Sequence, residues 1–281
     1  MTKIGTISLL IIIANALFSY QGFENWKFFN KYKFQVNRIL INKEYERMLT
    51  SGFLHVNWTH LLFNMFSFYS FSSILEYQLG PFYFSLIYFV SLLAGNLFAL
   101  IIHKNNGYYS AVGASGAVSG VIFAAIALFP GIRIGLFFLP IGIPSWLFGL
   151  LYVGYSLYGI KSNNDNIGHE AHLGGAILGM LTAIAIVPQA VVQNFLPIIL
   201  TLIPTLIFIV FVVIKPNFSL LENPFKSVKK SQTIDDRYSE QKIMDQNEFD
   251  ALLEKINKKG VNSLTPREKQ KLDDYAKKYK K

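Results

Sequence analysis

Seven runs of apolar residues, at roughly 5–20, 58–79, 82–102, 112–129, 142–160, 170–188 and 195–214, limit the folds open to this chain more than any other feature. A helix crossing the ~30 Å hydrocarbon core of a bilayer needs about 20 mostly apolar residues. Inside that core no water pairs with backbone N–H and C=O groups, so only helices and closed barrels cross it. Runs this long and continuous predict a bundle of membrane helices. Composition agrees, since 52% of the 281 residues are hydrophobic and 15% are charged, where a soluble domain carries about 25% charged residues. The first run, with Lys3 as its basic flank, has the outline of a signal peptide. No small-x-small cleavage site follows it, so it is expected to stay as a span.

Charge is unevenly spread. There are 10 basic and 6 acidic residues before Lys215, against 16 and 11 from Lys215 to Lys281. The chain therefore divides into a membrane core over 1–190, a seventh transmembrane helix over 195–214, a polar linker over 215–245 and a small helical module over 246–281. The net charge of +9 fits basic loops beside anionic headgroups. No basic stripe has the interleaving that a nucleic-acid groove needs, which argues against nucleic acid as a partner. The absence of cysteine removes disulfides, thiolate metal sites and a cysteine nucleophile together.

Two stretches between the runs are unusual. Residues 21–57 form a long first loop carrying Trp26, Phe28, Phe29 and Phe34, aromatic enough to lie in the membrane interface. Gly131 to Pro144 is apolar but broken by Gly and Pro, and reads as a half-inserted loop. In the tail, Phe249, Leu252, Leu253 and Ile256 recur at helical spacing, with Gly260 as a stop. Thr265, Pro266 and Glu268 form a helix start, and Leu272, Tyr275, Ala276 and Tyr279 line the next helix. No chemistry is visible in this module.

Chemistry is expected where polar groups interrupt apolar runs, because such groups are expensive in hydrocarbon and face a cavity or a partner. The second run holds His60 and Asn64, four apart and so on one helical face. The fourth opens with Gly113-Ala114-Ser115-Gly116, and the sixth holds His172 before Leu173-Gly174-Gly175. Taken singly, each has a plain reading as an interhelical hydrogen bond or a small-residue packing device. Taken together they suggest more. Gly116 and Gly120 are four apart, as are Gly175 and Gly179. If the two helices pack through these glycines, Ser115 and His172 come within reach of each other. A serine hydroxyl becomes a useful nucleophile when a base takes its proton. Glu170 and Asp165 lie upstream, in the expected loop, so the reading is a dyad whose imidazole is oriented by packing. His60, Asn64 and the Ser115 amide would supply oxyanion donors, with Gly113 and Gly116 as active-site backbone. His169 and His172 are three apart, but no carboxylate–histidine set completes a zinc site, and no cofactor or metal is expected.

Together, His60-Leu-Leu-Phe-Asn64, Gly113-Ala-Ser115-Gly116 and Ala171-His172-Leu-Gly-Gly175 with Gly179 resemble the motifs of the rhomboid family of intramembrane serine proteases, over roughly residues 40–185. The resemblance implies a six-helix core over 1–190 whose water-filled site opens to one membrane face and cleaves transmembrane protein substrates within the lipid bilayer. It implies Ser115 as nucleophile, His172 as base, and His60 and Asn64 as oxyanion donors; no oligomer is implied. The fold class expected is all-α, six core helices plus a seventh and a small soluble helical tail. Arg47 stands where the family commonly has the arginine of a tryptophan–arginine pair, and Glu46 replaces the tryptophan, so anchoring of the first loop is expected to differ. His55 and Glu76 resemble family residues that hold loop and helix in place. Many active relatives stack an aromatic, four residues after the serine, on the catalytic histidine. Here that position is Ser119, so His172 is expected to lack that support.

Non-catalytic relatives usually lack the serine or the histidine, whereas this chain keeps both. A transporter would want internal repeats or paired mid-membrane charges, and neither is visible. The resemblance places the protein in the cell membrane as a multi-pass protein with an extracytoplasmic site. The positive-inside rule points the other way, because the first loop holds Lys27, Lys31, Lys33, Arg38, Lys43 and Arg47. Glu24, Glu44 and Glu46 accompany those charges and the loop is partly embedded, so the expectation follows the family.

Overall fold

The computed structural model describes residues 4–136, 139–162 and 168–214, and in the tail residues 252, 255, 256, 260 and 263–278. Residues 1–220 and 221–281 form separate compact units. Within the first unit, three described helices are long and apolar enough to cross a membrane: Thr6–Glu24 (α1), Trp58–His103 (α5) and His169–Ile186 (α8). The first buries Ser8, Ile11, Asn15, Ser19 and Gly22, three or four apart, and exposes Leu9, Leu10, Ile13 and Leu17. Apart from Ile11, small and polar groups face inward and large apolar ones outward, the pattern expected when the outer solvent is lipid.

The 46 residues of α5 would extend about 70 Å if straight. They do not, because Gly80 interrupts the helix at φ 79° and ψ 166°. Glycine reaches this conformation without a Cβ clash, and Pro81 then opens the second limb at a position where its missing N–H costs nothing. The chain reverses there: the Phe68 and Tyr88 rings lie 5.4 Å apart, though 20 residues separate them. Both expected runs, 58–79 and 82–102, are thus present as the two limbs of a hairpin. Glu76, near the end of the first limb, accepts from Ile7 N and Ser8 N at 2.8 Å and from Ser8 Oγ at 2.6 Å. A carboxylate on the free N–H groups of a helix start satisfies donors that lipid cannot.

The first loop folds as three short helices, Trp26–Tyr32 (α2), Val36–Leu40 (α3) and Arg47–Thr50 (α4), followed by a 3-10 turn at Ser51–Phe53. A two-residue strand, Phe34–Gln35 (β1), pairs antiparallel with Ser110–Ala111 (β2). Arg47 is buried and donates from Nη1 to the carbonyls of Asn30 (2.8 Å) and Lys33 (2.7 Å), while its Nε meets Glu44. Glu44, three residues before the arginine, is the side-chain partner that anchors this loop. Burial raises the Glu44 carboxyl, but the hydrogen bond and charge of Arg47, with Asn42 and Arg38, outweigh it and hold the pKa below its ordinary value.

Helix α6, Ser115–Leu128, is the hub. Every residue from Gly116 to Ala127 is buried, as in a helix that is apolar all round. Gly131 to Pro144, expected as a loop, contains two antiparallel strands, Arg133–Leu136 (β3) and Leu139–Pro144 (β4), with a register shift between Gly135 and Leu136. Backbone groups that no helix could satisfy across these Gly and Pro residues pair with each other instead. The fold is therefore predominantly helical with two small strand pairs. Helices Ser145–Ser162 (α7) and α8 follow, then a short Ala190–Gln193 (α9) and Phe195–Ile214 (α10). Asn194 donates its side-chain amide to Ala127 O (2.8 Å) and Leu128 O (3.2 Å), capping the carbonyl end of α6.

Glycines set the spacing of α5, α6 and α8. A Cβ on Gly175 would collide with the Gly116 carbonyl, and one on Gly179 with the Gly120 backbone. One on Gly95 would stand 2.5 Å from Ala171 O. The second unit is described by its helix Pro266–Lys278, whose Thr265 cap accepts from Glu268 N at 3.3 Å while Glu268 accepts from Thr265 N at 2.7 Å. This reciprocal cap is the expected start signal. Phe249, Leu253 and the 215–245 linker lie outside the described residues, as do the side chains of Tyr275, Ala276 and Tyr279.

Alanine at Gly175 or Gly179 forces helices apart, and overpacking of this kind costs about 1–3 kcal/mol. Thermal unfolding in detergent should register a lower midpoint for Gly175→Ala and Gly179→Ala. Gly154→Ala, with nothing within 4 Å of its Cβ, should match or exceed the wild type, because alanine is the better helix former.

Candidate active site

Ser115 is the first residue of α6, with Ala114 as N-cap. Helix starts leave free N–H groups and a partial positive charge, so the Ser115 hydroxyl and amide sit where negative charge is favoured. Just before it, Gly113 adopts φ 134° and donates its N–H to Ser51 O at 3.0 Å. This value lies in the region open to glycine, and it turns the chain into the helix. A 14-residue helix rises about 21 Å against a core of ~30 Å. The helix is thus shorter than the hydrocarbon core.

His172 lies on the first full turn of α8 and is buried. Its Nε2 is 2.7 Å from Ser115 Oγ, although 57 residues separate them. The glycine contacts bring this about: Gly175, three residues on, presses its face of α8 onto Gly116. Glu170 falls in the first turn of α8 rather than in the preceding loop, so a carboxylate does sit on the histidine's helix. It faces elsewhere, with Oε1 3.3 Å from His103 Nε2, and the His103 and Tyr109 rings stack at 3.6 Å. Asp165 lies outside the described residues.

His60 reaches the same place from α5. A Cβ built on Gly113 would stand 2.9 Å from His60 Cε1, 3.1 Å from His60 Nε2 and 3.7 Å from Ser115 Oγ. The His60 ring and the Ser115 hydroxyl thus border one small volume, which glycine leaves open. Asn64 follows one turn later and is buried, with Nδ2 donating to His60 O at 3.1 Å. One amide hydrogen is engaged there and the second remains.

The histidine in the loop ahead of α5 packs against His60. His55 is fully buried; its ring lies 4.8 Å from that of His60, with Nδ1 2.9 Å from Ser19 Oγ. Its Nε2 faces Ala114 N at 3.5 Å. Burial, with the charge of His60, pushes its pKa down to about 3, so it is neutral. A neutral imidazole has one donor and one acceptor nitrogen. Nε2 accepts from Ala114 N–H, Nδ1–H donates to Ser19, and Ser19 donates to Phe53 O at 3.1 Å. The Ser115 turn is thereby tied to α1 and the first loop.

Tyr152 of α7 was not marked by its sequence, since one aromatic in an apolar run looks like any packing residue. Its ring lies 5.9 Å from that of His172, at 26°. Its hydroxyl is 2.6 Å from Ser119 Oγ, which is 2.7 Å from Ser115 O. His172 therefore does carry an aromatic neighbour, contrary to the expectation from Ser119.

Comparison with known proteins matches residues 42–189 to the rhomboid domain, and residues 232–278 to a family of unknown function. The mitochondrial RHOMBOID-like protein 12 of Arabidopsis thaliana is 30% identical over 197 residues, 62% of this chain and 56% of that relative. Rhomboid protein 1, mitochondrial, of Saccharomyces cerevisiae is 32% identical over 163 residues, 56% of this chain and 45% of its own length. Rhomboid protease GluP of Bacillus subtilis is 30% identical over 155 residues, 55% of this chain and 29% of its own. The chain thus spans about half or less of these relatives.

The buried His55 makes stability pH-dependent. Its folded pKa is depressed from 6.5 to about 3, so below 6.5 the unfolded chain takes up the proton first. Its contribution is intact above pH 6.5 and declines toward pH 3, with a limiting slope of about 1.4 kcal/mol per pH unit. Thermal midpoints measured between pH 7 and 5 should fall more steeply for the wild type than for His55→Gln.

Proposed function

This chain belongs to the rhomboid family, and on that premise we propose that it is an intramembrane serine endopeptidase that hydrolyses peptide bonds of transmembrane protein substrates. The observation that carries the reading is the 2.7 Å approach of His172 Nε2 to Ser115 Oγ at the half-buried start of α6. In the tautomer with its proton on Nδ1, His172 accepts the hydroxyl proton as Oγ attacks the scissile carbonyl. The imidazolium then returns that proton to the leaving amine. Water, activated by the same ring, hydrolyses the acyl-enzyme and releases Ser115.

The developing oxyanion falls near the volume that Gly113 leaves open. The Ser115 amide, at the positive end of α6, is one donor there, and the imidazole of His60 is a second. The remaining amide hydrogen of Asn64 is a third. Fixed donors stabilise the transition state without reorganising. Asn64, already held to His60 O, keeps its side chain in one rotamer for this purpose. Substrates are transmembrane segments that unwind beside the site, because a formed helix occupies its own carbonyls.

The organisation that goes with this activity is a six-helix core over 1–190, a seventh span over 195–214, a linker over 215–245 and an accessory module over 246–281. The protein is a multi-pass membrane protein, and we place the site on the extracytoplasmic face of the cell membrane. Arg47 supports this, because its charge is held in local structure by Glu44 and the carbonyls of Asn30 and Lys33 and is not a free flanking charge.

A fluorophosphonate probe should label purified wild-type protein at Ser115, and labelling should vanish in Ser115→Ala and fall sharply in His172→Ala. Undiminished cleavage of a single-span substrate by Ser115→Ala would remove the dyad. Loss of one oxyanion donor costs on the order of 100- to 1000-fold in rate. With the load shared, Asn64→Ala should cost less than Ser115→Ala, and a normal turnover number in His60→Ala/Asn64→Ala would contradict the assignment. Orientation is tested by a cysteine at Asn30, the chain having none. Labelling by an impermeant maleimide on intact cells supports the extracytoplasmic site, and labelling only after permeabilisation reverses it.

A further inference from the structure

The imidazole of His172 has to face Ser115 in one orientation, and the contacts around Tyr152 bear on how it does so. The two rings are 5.9 Å apart and tilted by 26°, inside the 4.5–7 Å range of favourable offset stacking. Tyr152 is itself held on several sides. Phe123 of α6 meets it at 6.1 Å and 61°, and Phe148, one turn earlier on α7, at 6.2 Å and 25°. Its hydroxyl is 2.6 Å from Ser119 Oγ. Ser119 has one hydroxyl hydrogen, and it goes to Ser115 O at 2.7 Å. The Tyr152 hydroxyl is therefore the donor to Ser119. The hydrogen bonds run in one direction, from the tyrosine through Ser119 to the backbone carbonyl of Ser115.

Residue sizes agree with this arrangement. Ser119 is one turn beyond Ser115 on α6 and is buried. A large side chain there would fill the space into which the Tyr152 ring extends from α7. A small residue on the nucleophile's helix and a large one on the neighbouring helix act as a pair.

We propose that Tyr152 is the positioning residue that holds the His172 imidazole in line with Ser115, with the Ser119 hydroxyl locking its ring. This rests on the dyad reading above. Tyr152 does not touch the reacting atoms; it acts through the histidine, so α7 shares in setting the geometry of a dyad whose members lie on α6 and α8. A tyrosine that merely filled space would affect folding but not turnover at fixed substrate affinity.

The test uses full-length protein in detergent, with kcat and KM for a single-span substrate and the rate of fluorophosphonate labelling at Ser115. Tyr152→Phe keeps the ring but drops its hydrogen bond to Ser119, and should lose clearly less of kcat than removal of the ring. Tyr152→Leu removes it and should lose about 3- to 10-fold in kcat, the scale of an aromatic stacking contact. KM should stay unchanged and labelling should slow in the same ratio. Should Tyr152→Leu fail to fold, Tyr152→Met carries the same comparison. Wild-type kcat and labelling in Tyr152→Leu would overturn the proposal, as would an equal loss in Tyr152→Phe. Those outcomes differ from failure of the dyad reading, in which the wild type itself would neither cleave nor label.

Discussion

The backbone contact between α6 and α8 is the constraint on which the rest depends. Gly116 meets Gly175, and Gly120 meets Gly179, at distances that no side chain tolerates. In lipid the hydrophobic effect does not press helices together, and close packing of small residues takes its place. This contact fixes the separation of two helices whose polar residues occupy the same level. Ser115 and His172 meet at 2.7 Å because the residues beside them have no side chains to hold the helices apart.

A polar site within apolar helices also requires that its surrounding groups be paired. The first unit does this with long-range contacts between side chain and backbone. Glu76 caps the start of α1, Asn194 caps the end of α6, and His55 links the Ser115 turn to Ser19. Arg47 holds the first loop through the carbonyls of Asn30 and Lys33. Each of these joins segments distant in the chain, and each satisfies a group that lipid would leave unpaired. The site is therefore held in place by bonds at its periphery as much as by its own residues.

Much of this was legible in the residues alone. The apolar runs located the helices to within a few positions, because span length is set by the bilayer and not by tertiary contacts. The glycine spacing brought the serine and histidine helices together for a local reason, since residues three or four apart share a face. Other features were not legible. The strands at Arg133–Leu136 and Leu139–Pro144 fall in what reads from sequence as a half-inserted loop, since apolar residues mixed with Gly and Pro carry no clear period. Glu170 was placed ahead of its helix, and only its position on α8, facing His103, shows why it does not orient His172.

The sharpest division concerns the support of His172. Sequence alone determined a helical membrane protein with a serine and a histidine on facing helices, since apolar length and helical periodicity are local properties. It also showed Ser119 where an aromatic was expected, and nothing in the chain's order indicated what would stand beside the imidazole. Tertiary structure decided that, bringing Tyr152 from α7 to within 5.9 Å of the ring and its hydroxyl to Ser119. Stacking between helices depends on their rotation and spacing once packed, and those are properties of the assembled bundle rather than of any one segment.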